Sequence, residues 1–252
     1  MKSLTLNIYL PACLLSLLLL SGCGPLFEHP EMPQNKEVIM LAAEITGDRM
    51  PSDSDRICPI ESWYGHAYQF QNIGMQAGEP VPDFSLYGVR GELFNLKAEL
   101  IKKKPVFLFS LSYTNPKCRE NLQKIEKLYQ RYGEQVTFCG VYTLETRPSD
   151  SMSPYEENLL DSGLESSIAQ HQNYGDRWKV LSDVELAENL SFPIVLDDFC
   201  NNFWKAYDRA PHAGYLVRPN GHLYSKHGWL DVAEMEKTFE TYIKQNAPKV
   251  PV

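Results

Sequence analysis

The 252-residue sequence predicts an α/β fold in which a central mixed β-sheet is flanked by helices. Three observations predict it. Residues 106–111, Val-Phe-Leu-Phe-Ser-Leu, form an apolar run that leads through a short turn into a helix with one apolar face. Residues 135–142 form a second apolar, β-branched run, the mark of a strand covered on both faces. A hairpin about Pro219-Asn-Gly221 and an amphipathic helix then close the chain.

From the N-terminus, residues 1–22 read as a bacterial lipoprotein signal. Lys2 supplies the positive start, residues 9–20 a short apolar run, and Leu20-Ser-Gly-Cys23 the cleavage box. The run is short of the roughly 20 apolar residues a membrane span needs. The mature chain is expected to begin at a lipid-modified Cys23, exported and tethered to the cell envelope. Gly24 resembles the residue that follows the cysteine in lipoproteins sorted to the outer membrane, facing the periplasm. The signal holds one of the 24 basic residues and no acid, which leaves 23 basic against 32 acidic residues, net −9. That balance disfavours nucleic acid as a partner. Export permits disulfides among the remaining cysteines, Cys58, Cys118, Cys139 and Cys200. They lack metal-ligand spacing and the six histidines form no His-x-x-x-His pair, so no metal or other cofactor is expected.

Residues 23–77 read as a tether and N-terminal extension, with a short helix or strand at 37–45 and Cys58 in a loop at 51–63. Residues 78–246 read as one domain. It opens on a hairpin at 78–96 and a short helix at 97–103, and the strand at 106–111 follows. Asn115 is a fitting N-cap, because its side-chain oxygen can accept a first-turn amide, and Pro116 a fitting first helical residue, because its missing N–H has no partner there. Leu122, Ile125, Leu128, Tyr129 and Tyr132 keep one face of that helix apolar, and Gly133 ends it. Cys139 lies mid-strand as a small packed hydrophobe. Residues 143–173 are long and polar, an insertion at about 145–173 that is functional or partly helical. The spacing of Trp178, Leu181, Val184 and Ala187 predicts a helix over 174–190 with those residues inward. A strand at 193–196, a short helix bearing Phe203 and Tyr207, and Asp231 as the cap of the last helix complete the order.

A strand that feeds a helix through a turn, with a cysteine in the first helical turn, resembles the active-site layout of thioredoxin-like proteins. Those carry Cys-x-x-Cys, the first thiol made acidic by the helix terminus. Here Asn115-Pro-Lys-Cys118 fills the second position and leaves the first vacant. Ala210-Pro211 stands where that fold places a cis-proline beside the turn.

Further segments, in order over roughly residues 78–243, resemble the iodothyronine deiodinase family. Ser112-Tyr-Thr-Asn115-Pro116 is similar to its Ser-x-Thr-nucleophile-Pro turn, with Asn at the attacking atom. Tyr142-Thr-Leu-Glu145-Thr-Arg147-Pro-Ser-Asp150 is similar to its Tyr-x-x-Glu-Ala-His-x-x-Asp segment, with Arg at the histidine. Ile168-Ala-Gln-His171, Asp176-Arg177, Val195-Leu-Asp-Asp198, Asn201 and Tyr207 follow in register. The resemblance implies reductive removal of iodine from an aromatic ring by a selenolate or thiolate. An asparagine amide forms no selenenyl iodide or mixed disulfide, so that reaction is not expected here.

Cys118 is then the remaining catalytic candidate. The helix dipole, Lys117 and Arg119 favour a depressed pKa there; the competing reading is a packed helix residue. Thr114 stands four residues before it, one more than in peroxiredoxins. His171 is a candidate proton carrier, and Tyr113, Thr114, Arg147 and Pro211 are candidate cleft residues, with His212 beside them. Arg147 binds an anionic group or pairs with Glu145 or Asp150. Cys200 and Cys58 resolve a Cys118 sulfenate or form a disulfide. The implied partners are the membrane through Cys23 and a thiol reductant or small aromatic ligand. Three functions stay open: a thiol oxidoreductase working through Cys118, an inactive family member that binds a small molecule or protein, and a purely structural envelope protein.

Overall fold

The computed structural model describes residues 38–47, 49–62, 67–155 and 167–247. The signal, Cys23 and the tether at 24–35 lie outside the described residues. The elements run β1 (Ala42–Glu44), a 3-10 turn (Ala67–Gln71), β2 (Pro82–Asp83), β3 (Ser85–Tyr87), β4 (Leu93–Asn95) and α1 (Leu96–Ile101). Then come β5 (Val106–Leu111), α2 (Pro116–Tyr132), β6 (Thr137–Tyr142), α3 (Tyr174–Glu188), β7 (Ile194–Leu196) and α4 (Asn202–Ala206). Finally β8 (Gly214–Val217) and β9 (Leu223–His227) form a hairpin, and α5 (Val232–Asn246) follows.

Seven strands make one sheet in the order β4-β3-β7-β6-β5-β8-β9. β5, β6 and β7 are parallel, and the flanking strands pair antiparallel. β5 sits deep in the sheet, and its alternation feeds both layers. Phe107, Phe109 and Leu111 pack with Leu122 and Ile125 of α2 and Phe239 of α5. Val106 and Leu108 join Phe84, Trp204 and Tyr207 on the opposite face. Each such side chain taken fully from water contributes about 1.5–3 kcal/mol, which is why an unbroken apolar run is stable only here. This is the thioredoxin-like α/β arrangement, a mixed sheet between helices.

Several local expectations change. α3 does bury Leu181 and Val184, but its other inward residues are Tyr174 and Arg177. Trp178 is 41 % exposed and Ala187 is exposed too; the Trp178 indole donates to the Val89 carbonyl at 2.8 Å instead. The described parts of 145–173 contain no helix. No cis peptide bond occurs among the described residues, so Ala210–Pro211 is trans. The β8–β9 turn is centred on Pro219 and Asn220, with Gly221 taking the left-handed φ of 88° and its amide bonding back to the Arg218 carbonyl; Pro219 pre-sets the first turn angle.

The N-terminal extension is part of the folded body. β1 pairs in parallel with β2. Further on, Arg56 bridges Asn173 in antiparallel sense, and the Tyr174 amide bonds to the Asp55 carbonyl and the Ile57 amide to the Gln172 carbonyl. The Cys58 amide donates to the Phe199 carbonyl at 2.7 Å, and Cys58 is disulfide-bonded to Cys200. This strap lies over the loop that enters α3 and the turn that leaves β7.

Candidate functional site

The loops after the C-terminal ends of β5, β6 and β7 converge, as ligand-binding loops do in open α/β sheets. Their centre is Glu145, fully buried at 0 % exposure. One carboxylate oxygen accepts from the Thr114 amide and hydroxyl, both at 2.7 Å, and from the Ser112 hydroxyl at 3.0 Å. The other accepts the Tyr142 hydroxyl. A buried charge is tolerated only with such partners, and four donors supply them. Gln170 fixes the backbone here: its side chain accepts from the Glu145 amide at 3.0 Å and donates to the Glu145 carbonyl at 2.8 Å.

The Tyr142 oxygen also lies 3.1 Å from His171 Nε2. Tyr142 gives its one proton to Glu145, so it accepts from Nε2–H, and His171 Nδ1 is left as the bare acceptor. That Nδ1 is buried and has no partner. Burial, with Arg177 adding to it, holds His171 well below the usual histidine range, in the neutral form. Arg177 itself is fully buried and donates to the Asp197 and Asp198 carbonyls at 2.9 and 2.7 Å and to Asn201 Oδ1 at 2.6 Å, stitching the turn after β7.

Asn115 is 2 % exposed. Its Oδ1 caps α2, accepting from the Lys117 amide at 2.9 Å and the Cys118 amide at 3.2 Å. Cys118 points into the core with Leu122 and Ile125. Burial pushes its thiol up to about 12, with Glu145 adding to the rise and the Ser112 amide and Arg119 opposing it. The expected depression is therefore reversed, because loss of water outweighs the Ser112 amide and Arg119. Cys139 is buried likewise and raised well above its ordinary value. Cys58 and Cys200 are bonded to one another, so in this state neither is free to resolve Cys118.

Thr114 belongs to the Glu145 cluster, and its hydroxyl also accepts the Arg147 amide at 2.9 Å. The Arg147 side chain pairs with neither Glu145, whose oxygens are occupied, nor Asp150, which accepts the Gln170 amide. Tyr113 lines an apolar cavity of about 180 Å³ with Ile168, Val180 and Val184, its hydroxyl donating to Glu188 at 2.9 Å. Pro211 is buried. His212 is a satisfied core histidine, between Asn121 Nδ2 at 3.0 Å and the Ser110 carbonyl at 3.3 Å. Glu145 and Arg177 are the polar residues that sequence reasoning passed over as site members. A carboxylate directly after a buried strand, facing two hydroxyls in the neighbouring turn, was the available signal for the first.

The sheet order and the helices around it define a thioredoxin-like protein. Residues 76–218 match the Redoxin family, and the chain belongs to it. It is 31% identical over 74 residues to the thioredoxin-like protein YneN of Bacillus subtilis (strain 168), over 29% of this chain and 42% of that protein. The chain thus spans less than half the length of that curated relative. Among solved structures it is similar to a thiol-disulfide oxidoreductase from Bacteroides fragilis NCTC 9343, with 16% identity, 65% of this chain and 99% of that one covered, and a TM-score of 0.45. It is also similar to the pneumococcal exposed lipoprotein thioredoxin (Etrx1) from Streptococcus pneumoniae strain TIGR4, with 16% identity, 63% and 98% covered, and a TM-score of 0.44.

Proposed function

We propose that this chain is an exported redoxin, lipid-anchored through Cys23 and of the iodothyronine deiodinase-like branch, that binds a small aromatic ligand in the cell envelope without thiolate attack from the β5–α2 turn. One observation carries the reading. The turn's first position is a capping asparagine, and its second is a thiol in the core with a pKa of about 12, while the neighbouring Glu145–Tyr142–His171 cluster stays assembled. Tyr113, on the same turn, offers its ring to an apolar cavity of about 180 Å³, which suits a single aromatic ring better than a peptide. Asp183 and the Tyr113 hydroxyl are the polar groups of this mostly apolar pocket, and a few polar groups in an apolar lining are the usual make-up of a ligand site.

The test pairs two measurements on the full chain. In residue-resolved alkylation across pH 5 to 10, Cys118 is expected to stay protected until the protein unfolds. With an iodinated phenol, a ligand-induced rise in Tm is expected without iodide release; saturation at 100 Kd stabilises by about 2.7 kcal/mol. Iodide release, or a native Cys118 pKa below about 7.5, inside the range of activated thiols, would return the site to thiolate chemistry. No shift in Tm would remove the ligand.

A further inference from the structure

The strap places a second sulfur site where the fold has none of its own. Asp55, Arg56 and Ile57 face Tyr174, Asn173 and Gln172 in antiparallel register. Beyond Ile57 the Cys58 amide turns to the Phe199 carbonyl at 2.7 Å, which leaves Cys58 and His171 at the end of the paired segment. Both residues line one cavity of about 280 Å³, together with Arg56. Cys200 opens onto a different cavity, of about 210 Å³. Both cysteines are half-buried and neither belongs to either core layer. Neither lies in a helix or strand, so the bond can open without dismantling the sheet.

We infer that Cys58 and Cys200 are a redox-active pair, a thiol–disulfide exchange site moved from the β5–α2 turn to the strap, with neutral His171 as the hydrogen-bond acceptor of the reduced Cys58 thiol. The orphaned His171 Nδ1 supports it. In the disulfide there is no proton to offer that nitrogen; once Cys58 is a thiol, its S–H supplies the missing donor. Arg56, beside Cys58, favours a thiolate there, whereas Cys200 has its amide on the Asp198 carboxylate at 3.0 Å, which disfavours one. Cys58 is thus the exchanging sulfur and Cys200 the resolving one.

The steps balance with a dithiol as reductant. A dithiol thiolate attacks Cys58 Sγ through the cavity, the S–S bond breaks, and its electron pair leaves on Cys200 Sγ, which takes a proton. The second dithiol sulfur attacks the mixed disulfide and releases Cys58. Two electrons and two protons have passed to the protein. Reduced Cys58 loses its proton to solvent through the cavity and attacks a substrate disulfide, whose S–S bond breaks and whose leaving sulfur takes a proton. Cys200 Sγ, giving up its own proton, then attacks Cys58 Sγ of the mixed disulfide, re-forms the original bond and releases the second substrate sulfur as a thiol, so two electrons and two protons pass on.

The experiment uses the full chain and dithiothreitol-driven reduction of insulin. Acceleration is expected from the native sequence and from Cys118→Ala, and its loss from Cys58→Ser and Cys200→Ser. Partial reduction of the unaltered protein followed by alkylation guards against misfolded variants. Cys58 should label first while the β5 and β6 amides stay protected from exchange. In His171→Ala the apparent Cys58 pKa should fall, because the thiol form loses the acceptor of its proton. No acceleration, loss of acceleration in Cys118→Ala, or a disulfide that is reduced only on global unfolding would overturn the inference.

Discussion

Removing the Glu145 carboxylate tests the centre of the site most directly. Four donors converge on it: the Ser112 and Tyr142 hydroxyls and the amide and hydroxyl of Thr114. Glu145→Ala strands the amide and hydroxyl of Thr114 in a dry environment and leaves the Ser112 and Tyr142 hydroxyls only the poorer acceptors Thr146 Oγ1 at 3.3 Å and His171 Nε2 at 3.1 Å. At about 1–3 kcal/mol for each stranded group, and with the sum not fully additive, the loss should reach about 5 kcal/mol. That is a large part of the roughly 5–15 kcal/mol that stabilises an ordinary domain. Glu145→Gln keeps one acceptor oxygen. Turned toward Ser112 and Thr114 it satisfies three donors, so the expected loss falls to about 2 kcal/mol. Its amide then donates to Tyr142, which must pass its own proton to His171 Nε2. The imidazole tautomer inverts, with the proton now on Nδ1. Urea unfolding gives both free energies, and nitrogen chemical shifts of His171 give the tautomer. Equal losses for the two variants, or a loss below about 0.5 kcal/mol for Glu145→Gln, in the range of neutral surface changes, would refute the account of Glu145 as a four-fold acceptor.

Two further outcomes are expected. Burial, partly offset by the Ser110 carbonyl, brings His212 from 6.5 down to about 4. A histidine whose folded pKa lies below its unfolded one stabilises fully above pH 6.5, and that contribution disappears as the pH falls from 6.5 to 4. The size is about 3 kcal/mol at about 1.4 kcal/mol per pKa unit. The native protein should therefore lose about that much more than His212→Asn across the window in urea unfolding, and parallel curves would contradict it. As for the α2 cap, Asn115→Ala should cost about 1 kcal/mol and Asn115→Ser only a few tenths. A serine variant as unstable as the alanine one would show that Asn115 does more than cap.

The strand, turn and helix from Val106 to Tyr132 were legible because their signals are local: an apolar run, a capping asparagine, a proline at the first helical position. The inward phase of Cys118, the packed-residue alternative, was legible in the same way, since Cys118, Leu122 and Ile125 are spaced four and three apart and all three join the core. Arg177, by contrast, was hidden. An arginine among Tyr174, Leu181 and Val184 makes the inner face of α3 look polar, and Trp178 then reads as its inward neighbour. Only the carbonyls of the turn after β7, distant in sequence, account for a buried guanidinium there. The pairing of Cys58 with Cys200 had no local signal at all, because it depends on how the extension crosses the domain.

That pairing joins positions 142 residues apart, which makes the chain covalently circular over more than half of its length. A protease that nicks it once anywhere between the two cysteines linearises the circle and releases nothing. On a non-reducing gel the nicked protein keeps its full mass, and two fragments separate only after reduction. Whatever holds the segment before Cys58 in place therefore also retains everything after Cys200, for as long as the bridge stays oxidised.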